Sequence, residues 1–490
     1  AYRRQRQMCI RDRSNTVYAV LGQLLEKHIK FCVIEPAKGE YKNVFGNRDD
    51  VNVYGTNPKY TPLLRINPFA FPKGVHVFEH IDRLIEIFNV SWPMYAAMPA
   101  ILKDAVIMAY EHAGWDLKTS VNPYGNNLFP DFSDLISCLK ETIAASDYSA
   151  ENKGNYTGSL VTRVRSLTNG LNGMILTGHE IPLEQLFDEN TIIDLSRVGS
   201  TETKSLLMGI LIMRLNEYRM DTADGMNSPL KHVTVLEEAH NILGSASDSG
   251  PEGAGMQQKS VQLLTSAIAE MRTFGEGFMI VDQSPSSVDI AAIKNTNTKI
   301  IMRMPEENDR NLVGKAAALS DEQLAELALL NKGEAVVYQN DWLEPALVNI
   351  RSARELIDVD GTYQYKQVTD VKSPEISTAE VAEVGKIMVY RLVRDPLPYS
   401  QEILQSLMEN DYLTASEKVY LSKLHLANQE KLPDVDIRLD FLAKIIGIED
   451  LSSCRGKVKQ LYRSVYSKCR NRRLTSQLLA LIDRYLENGK

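Results

Sequence analysis

Cysteine is scarce in this chain. Five cysteines occur in 490 residues (Cys9, Cys32, Cys138, Cys454 and Cys469), none in a CxxC pair, and the eight histidines are equally dispersed. That spacing argues against a structural zinc site and a disulfide framework, and it fits a reducing cytoplasm. Long apolar runs are missing too. "LLMGILIMRL" and "GFMIVDQ" fall short of the ~18 residues that span a bilayer, and the N-terminus has no apolar signal-peptide core. The expectation is a cytoplasmic protein with no membrane contact. An excess of positive charge is absent as well. The net charge is −8, so any nucleic-acid contact must come from local basic patches. Finally, no glycine stands ahead of Ser14; the first is Gly22.

What remains is ordinary globular composition, 44% hydrophobic and 24% charged. The length suits one large α/β domain with a smaller partner. Val17, Val20, Leu21, Leu24 and Leu25 make a helical stripe. "KFCVIEPAKGEY" follows as a short apolar run stopped by Pro36 and Gly39, a buried strand and turn. From about 58 to 175, loop-like stretches mix with helical ones such as "PAILKDAVIMAYEHAG", which reads as a mainly helical insertion. Alternation then resumes: "TIIDLSRV", "HVTVLEEAH", "EGFMIVDQSP", "KIIMRMP" and "GEAVVYQ" read as strands, and "ETKSLLMGILIMRLNEYRM" and "SVQLLTSAIAEMRTFG" as helices. Short all-apolar strands separated by helices predict a parallel sheet covered on both faces. "SASDSGPEGAGMQQ" reads as a Gly/Ser-rich loop. Beyond about 365 strand signals stop. Ser377 and Glu380 stand at capping-box spacing, and the rest reads as helical.

Three stretches point to chemistry. In "HVTVLEEAHNIL" a run of β-formers delivers Glu237 and Glu238 at its end. A buried strand ending in two carboxylates describes a Walker B segment, one acid holding hydrated Mg²⁺ and the other acting on the attacking water. The alternative is a helix N-terminus that favours acids. "GFMIVDQSP" ends in Gln283, whose uncharged amide suits a sensor of water and γ-phosphate, or is simply a turn residue before Pro285. Arg272, eleven residues earlier, stands at a helix end where Gly275 turns the chain. It is placed to reach a phosphate on a neighbouring subunit, or to complement the helix dipole. Glu35 and Lys38 lie near a nucleotide or a subunit interface, or only shape a turn.

Taken in order, "CVIEPAKGEY", "IIDLSRVGSTETKSLLMGIL", "VTVLEEAHNIL", "AEMRTFGEGFMIVDQSPSSVDIAAIKNTNTKIIMRM" and "LALLNKGEAVVYQ" resemble the HerA/FtsK superfamily of P-loop motor ATPases, above all its HerA-like branch. The resemblance covers roughly 14–350 and is loose over 58–175. It implies an α/β fold: a RecA-like P-loop NTPase core with a mainly parallel sheet, a helical insertion and an all-α C-terminal region. The implied divisions are a non-native leader (1–13), the start of the core (14–57), the helical insertion (58–178), the rest of the core (179–355) and a helical C-terminal domain (365–490). It further implies ATP and Mg²⁺ as cofactors. Glu237 takes the Walker B position, where Asp is commoner, with Glu238 as catalytic base. Gln283 becomes the sensor, on the strand between the Walker A and Walker B strands, and Arg272 the trans-acting arginine. Arg303 is a weaker phosphate or intersubunit contact, a plain strand-end arginine otherwise.

Such proteins carry GxxxxGK[ST] directly before the first helix, a loop whose amides and lysine cradle phosphates and whose hydroxyl ligates Mg²⁺. Here "RDRSNTVYAVL" matches only its tail. Ser14 falls at the hydroxyl position and ligates Mg²⁺ with Glu237, Asn15 and Thr16 adjoin the nucleotide, and Arg13 stands where lysine belongs. Three readings are open: an inactive degenerate ATPase, a divergent loop with arginine for lysine, or non-native residues 1–13 joined to a truncated gene. The last accounts best for "RRQRQMCIRDR", because arginine cannot replace the backbone freedom of the missing glycines. It implies weak ATP binding by these 490 residues.

The implied partners are double-stranded DNA contacted without sequence preference, further copies in a homo-oligomeric ring (a hexamer), and a nuclease or defence effector. "SSCRGKVKQLYRSVYSKCRNRR" adds a basic stretch from Arg455 to Arg473 without an acid, interleaved with Tyr462 and Tyr466. It suits phosphate contact, a solvated helix face or an effector-docking surface. Alternatives from other classes are a conjugation or type IV secretion ATPase and a nucleotide-independent scaffold.

Overall fold

The computed structural model describes residues 2–365, apart from 93, 126, 179, 224, 226, 245–250, 356 and 360, together with 401, 404, 405, 408 and 414–429. The chain divides into two compact units, Ala1–Ile107 with Leu135–Gln367 and Met108–Asp134 with Val368–Lys490.

The first unit is built on a parallel sheet of β1 (Lys30–Glu35), β2 (Val51–Gly55), β3 (Asn190–Asp194), β4 (His232–Glu237) and β5 (Glu276–Val281), in the order β2-β3-β1-β4-β5. β3 and β4 are buried at every position. That is why their sequences are continuous apolar runs rather than alternating ones. The helix Tyr2–Glu26 lays Val17, Tyr18, Leu21 and Leu24 into the same core as Phe31 and Val33 of β1 and Ile192 of β3. β5 pairs with β4 alone among the described residues, so the expected strand on its other side has no counterpart there.

The helix Thr201–Thr222 begins at Ser200, whose hydroxyl accepts from the Thr203 N–H at 3.3 Å. It is buried almost all round between Thr203 and Arg219, so no one-sided stripe shows in its sequence. It packs on the helix Val77–Ser91, where a Cβ at Gly209 would come within 2.7 Å of Ile87 Cγ2. Glycine there sets the closeness of the two helices. Between β2 and β3 the chain also forms helices Met98–His112, Phe132–Ala145, Ala150–Tyr156, Thr162–Thr168 and Gly170–Ile175. The helix Pro251–Met271 starts inside the stretch read as a loop, with proline at its first position, where a missing N–H costs nothing.

"KIIMRMP" and "GEAVVYQ" do form strands, β6 (Thr298–Ile301) and β7 (Glu334–Gln339). They make a separate antiparallel sheet with β8 (Ala346–Asn349) instead of extending the parallel one. Only six residues join β7 to β8, too few for the crossover a parallel pair needs.

Within the second unit, Trp115 Nε1 donates to the Leu128 carbonyl at 2.7 Å. Ser416, on the helix Ala415–Gln429, donates to Asp134 Oδ1 at 2.6 Å. The Ser377–Glu380 cap and the basic stretch 455–473 lie outside the described residues.

Candidate nucleotide site

The parallel strands present their functional groups at one edge. β1, β3 and β4 end in Glu35, Asp194 and Glu237, and β5 runs into Asp282 and Gln283. Glu35 is level with Asp194, and Glu237 with Val281. Ligands of open α/β sheets bind at this carboxyl edge.

Glu35 is 2% exposed and accepts the N–H groups of Glu40 (2.8 Å) and Tyr41 (3.2 Å). Burial pushes its carboxyl up to about 7; those two amides pull down, while Asp194 and Glu237 add to the rise. The amides fold the turn back on the strand. Gly39 takes a left-handed φ of 66° there, and a Cβ would meet Ser196 Oγ at 2.8 Å. The turn delivers Tyr41 and Lys42: the Tyr41 hydroxyl donates to Glu237 Oε1, and Lys42 Nζ to Asp194 Oδ2. The Tyr41 ring stands edge-on to Tyr18, with centroids 5.0 Å apart.

Because Glu35 titrates higher folded than unfolded, its contribution to stability is fully present below pH ~4.5 and is lost as pH rises through about 7. Glu35→Gln removes the charge but keeps an acceptor for only one of the two amides, its NH2 facing the other. Relative to wild type, the variant is expected to be more favourable by about 3 kcal/mol at pH 8 than at pH 4.5. Urea unfolding at the two pH values checks this; an equal shift at both would sink it.

Burial also raises the Glu237 carboxyl, opposed by the Tyr41 hydroxyl and the Arg13 charge. Its Oε2 has no hydrogen-bond partner among the described residues. Glu238 is buried, with a left-handed backbone (φ 47°) that is uncommon for a side chain with a Cβ. Its Oε1 accepts from Arg13 Nη2 at 3.1 Å and Gln283 Nε2 at 2.6 Å.

The structure thus brings Glu237, Glu238 and Gln283 together, with Arg13 beside them. Ser14 is buried one residue on. Asn15 turns elsewhere: its Oδ1 accepts from Ala353 N at 2.8 Å and its Nδ2 donates to the Arg351 carbonyl at 3.2 Å. Thr16 Oγ1 donates to Met302 Sδ at 3.6 Å. Arg272 is exposed and precedes β5, whereas Gln283 follows it. About 20 Å of strand separates them, at roughly 3.3 Å per residue. Arg303 is exposed past β6 and donates to the Ala328 carbonyl at 3.1 Å. Sequence reasoning did not single out Tyr41, Lys42, Asp194, His240 and Asp282. Asp194 carried a usable signal, since "TIID" ends a buried strand in an acid as "VTVLEE" does.

A parallel sheet of this kind, with adjacent acids ending one inner strand, is a RecA-like P-loop ATPase core. In agreement, VirB4 of Thermoanaerobacter pseudethanolicus shares the fold, with a TM-score of 0.51 and 16% identity over 69% of this chain and 86% of that one. No family model matches the chain. Among curated proteins, the "probable DNA double-strand break repair helicase HerA" of Methanocaldococcus jannaschii is 32% identical over 389 residues, 73% of this chain and 72% of that protein. The DNA double-strand break repair helicase HerA of Sulfurisphaera tokodaii is 26% identical over 345 residues. The chain belongs to the HerA helicase family. It spans 62% of the Sulfurisphaera protein's length and 23% of that of the HerA of Pyrococcus furiosus.

Proposed function

We propose that the protein is a motor ATPase that translocates or unwinds double-stranded DNA as an oligomeric ring, a hexamer, beside a nuclease or defence effector. The observation that carries this reading is the buried Glu237–Glu238 pair at the end of β4, with Gln283 of the neighbouring strand bonded to Glu238.

Mg²⁺ would be held by Glu237 Oε2 and the Ser14 hydroxyl, oxygen donors of the hard kind it takes. When bound, it supplies positive charge against the β- and γ-phosphates. Tyr41 fixes the Oε1 side of Glu237, which orients the remaining oxygen. Glu238 accepts the proton of the attacking water. Gln283 holds the carboxylate of Glu238 in place and senses the γ-phosphate. Asn15 and Thr16 anchor the helix that carries Ser14 to residues 351–353 and Met302. Arg272, at the far edge of the sheet, serves the nucleotide of a neighbouring subunit, and Arg303 belongs to the same interface.

With a complete phosphate loop ahead of Ser14, ATP hydrolysis is expected to rise several-fold on adding double-stranded DNA. The rise should be equal for unrelated sequences and should fade with increasing salt, because the contacts are to phosphates. Hydrolysis indifferent to DNA would overturn the motor reading.

A further inference from the structure

We propose that Glu238, His240 and Asp282 form a site for a divalent transition-metal ion of the Mn²⁺ or Zn²⁺ type, distinct from the magnesium that accompanies a nucleotide. The proposal does not rest on the ATPase reading; an ion here would take the Glu238 oxygen left for a base, so occupancy and hydrolysis exclude each other within one site. Each residue offers one donor atom, and the three atoms lie within 4.8 Å of one another. Strand pairing explains the meeting. Glu237 is level with Val281 on adjacent parallel strands, so Glu238 and Asp282 are the next residues on each. The left-handed turn at Glu238 then brings His240 back over them.

The spacing suits an ion. His240 Nδ1 is 2.9 Å from Asp282 Oδ2 and 3.7 Å from Glu238 Oε2. Donors about 2.1 Å from a shared metal stand roughly 3.0–3.5 Å apart in octahedral or tetrahedral geometry, so an ion would draw the Glu238 carboxylate inward toward the His240–Asp282 pair.

Donors from outside the trio sort the carboxylate oxygens. Asp282 Oδ1 accepts the Gln283 N–H (2.7 Å) and the Ser284 N–H (3.0 Å), while Oδ2 accepts the His240 backbone N–H (2.9 Å) and faces the imidazole. Glu238 Oε1 accepts from Arg13 and Gln283, leaving Oε2 toward it. Outer partners of this sort set the orientation of metal-ligating carboxylates. The His240 side chain is 40% exposed, which leaves room for coordinating water. One imidazole with two carboxylates favours first-row transition ions over Mg²⁺, which prefers oxygen and water.

The test is Mn²⁺ binding to the full chain, free ion being measured by electron paramagnetic resonance without nucleotide and with millimolar Mg²⁺ present. Mn²⁺ avoids thiolates, so the cysteines do not compete. One equivalent is expected to bind at pH 8. His240→Ala and Asp282→Asn should each weaken it at least tenfold while the circular dichroism spectrum is unchanged. Absence of stoichiometric binding overturns the proposal. Binding that survives both variants, or that Mg²⁺ removes, assigns the ion elsewhere and overturns it equally. Mn²⁺ binding here, together with no ATP hydrolysis even when a complete phosphate loop precedes Ser14, would leave this site standing and remove the motor reading.

Discussion

Glu238→Gln is expected to lower ATP turnover by 10²–10⁴-fold, the range general-base catalysis contributes, while nucleotide affinity changes by no more than a few-fold. The side chain is nearly isosteric, and its amide oxygen can still accept from Gln283 Nε2 as Oε1 does now. The left-handed backbone at 238 is left as it is. What disappears is a basic oxygen within reach of water, so the loss should fall on turnover and not on the Michaelis constant. Single-turnover hydrolysis and an equilibrium nucleotide titration, with a complete phosphate loop ahead of Ser14, separate the two. Turnover within threefold of wild type would remove Glu238 from the base role. Glu237→Gln serves as the contrast, since its loss should appear as a higher requirement for Mg²⁺.

Arg219→Ala is expected to cost about 3–5 kcal/mol of stability, the range for removing one partner of a buried ion pair, with turnover per folded molecule unchanged. Arg219 Nε donates to Glu276 Oε2 at 2.9 Å, and Nη1 to Asp188 Oδ1 at 2.6 Å. The Glu276 side chain is fully buried and also accepts from Thr234 Oγ1 at 2.7 Å and pairs with His232 Nδ1 at 2.8 Å. Burial alone would raise the Glu276 carboxyl, but His232 and Arg219 overrule it and hold it below the usual carboxylate range. Its depressed value contributes stability above the unfolded pKa of about 4.5, lost as pH falls through the folded value. Removing Arg219 should therefore also move acid unfolding to higher pH. Denaturant midpoints with and without the substitution check the cost. The cluster stands where β4 and β5 begin, at the opposite end from Glu237 and Gln283. A loss of turnover larger than the loss of folded protein would contradict that separation.

Much of the sheet could be read directly because its strands are buried on both faces. "KFCVIE", "TIID" and "HVTVLE" are continuous apolar runs that end in acids, and β1, β3 and β4 follow them closely. The same logic misplaced β6 and β7, since a short apolar run says nothing about its pairing partner. The acids of the site were legible because Glu237 and Glu238 adjoin in sequence. Tyr41 was not, since its hydroxyl meets Glu237 across 196 positions, and the His240–Asp282 bond spans 42. Those contacts exist only after β1, β4 and β5 align. Asn15 and Thr16 adjoin the expected hydroxyl in sequence, but helical geometry turns neighbouring side chains about 100° apart, and theirs meet Arg351, Ala353 and Met302.

The backbone at Glu238 has a consequence for how this site tolerates change. A left-handed conformation with a Cβ costs on the order of 1–3 kcal/mol, and glycine would relieve it without disturbing the strand before or the turn after. Local conformational preference and chemistry therefore pull position 238 in opposite directions. Random variation filtered for robustness alone would drift there toward glycine or asparagine, and the chain would become hardier as it lost its carboxylate. A glutamate holding that conformation puts local backbone strain at the candidate site, where strain of this kind clusters.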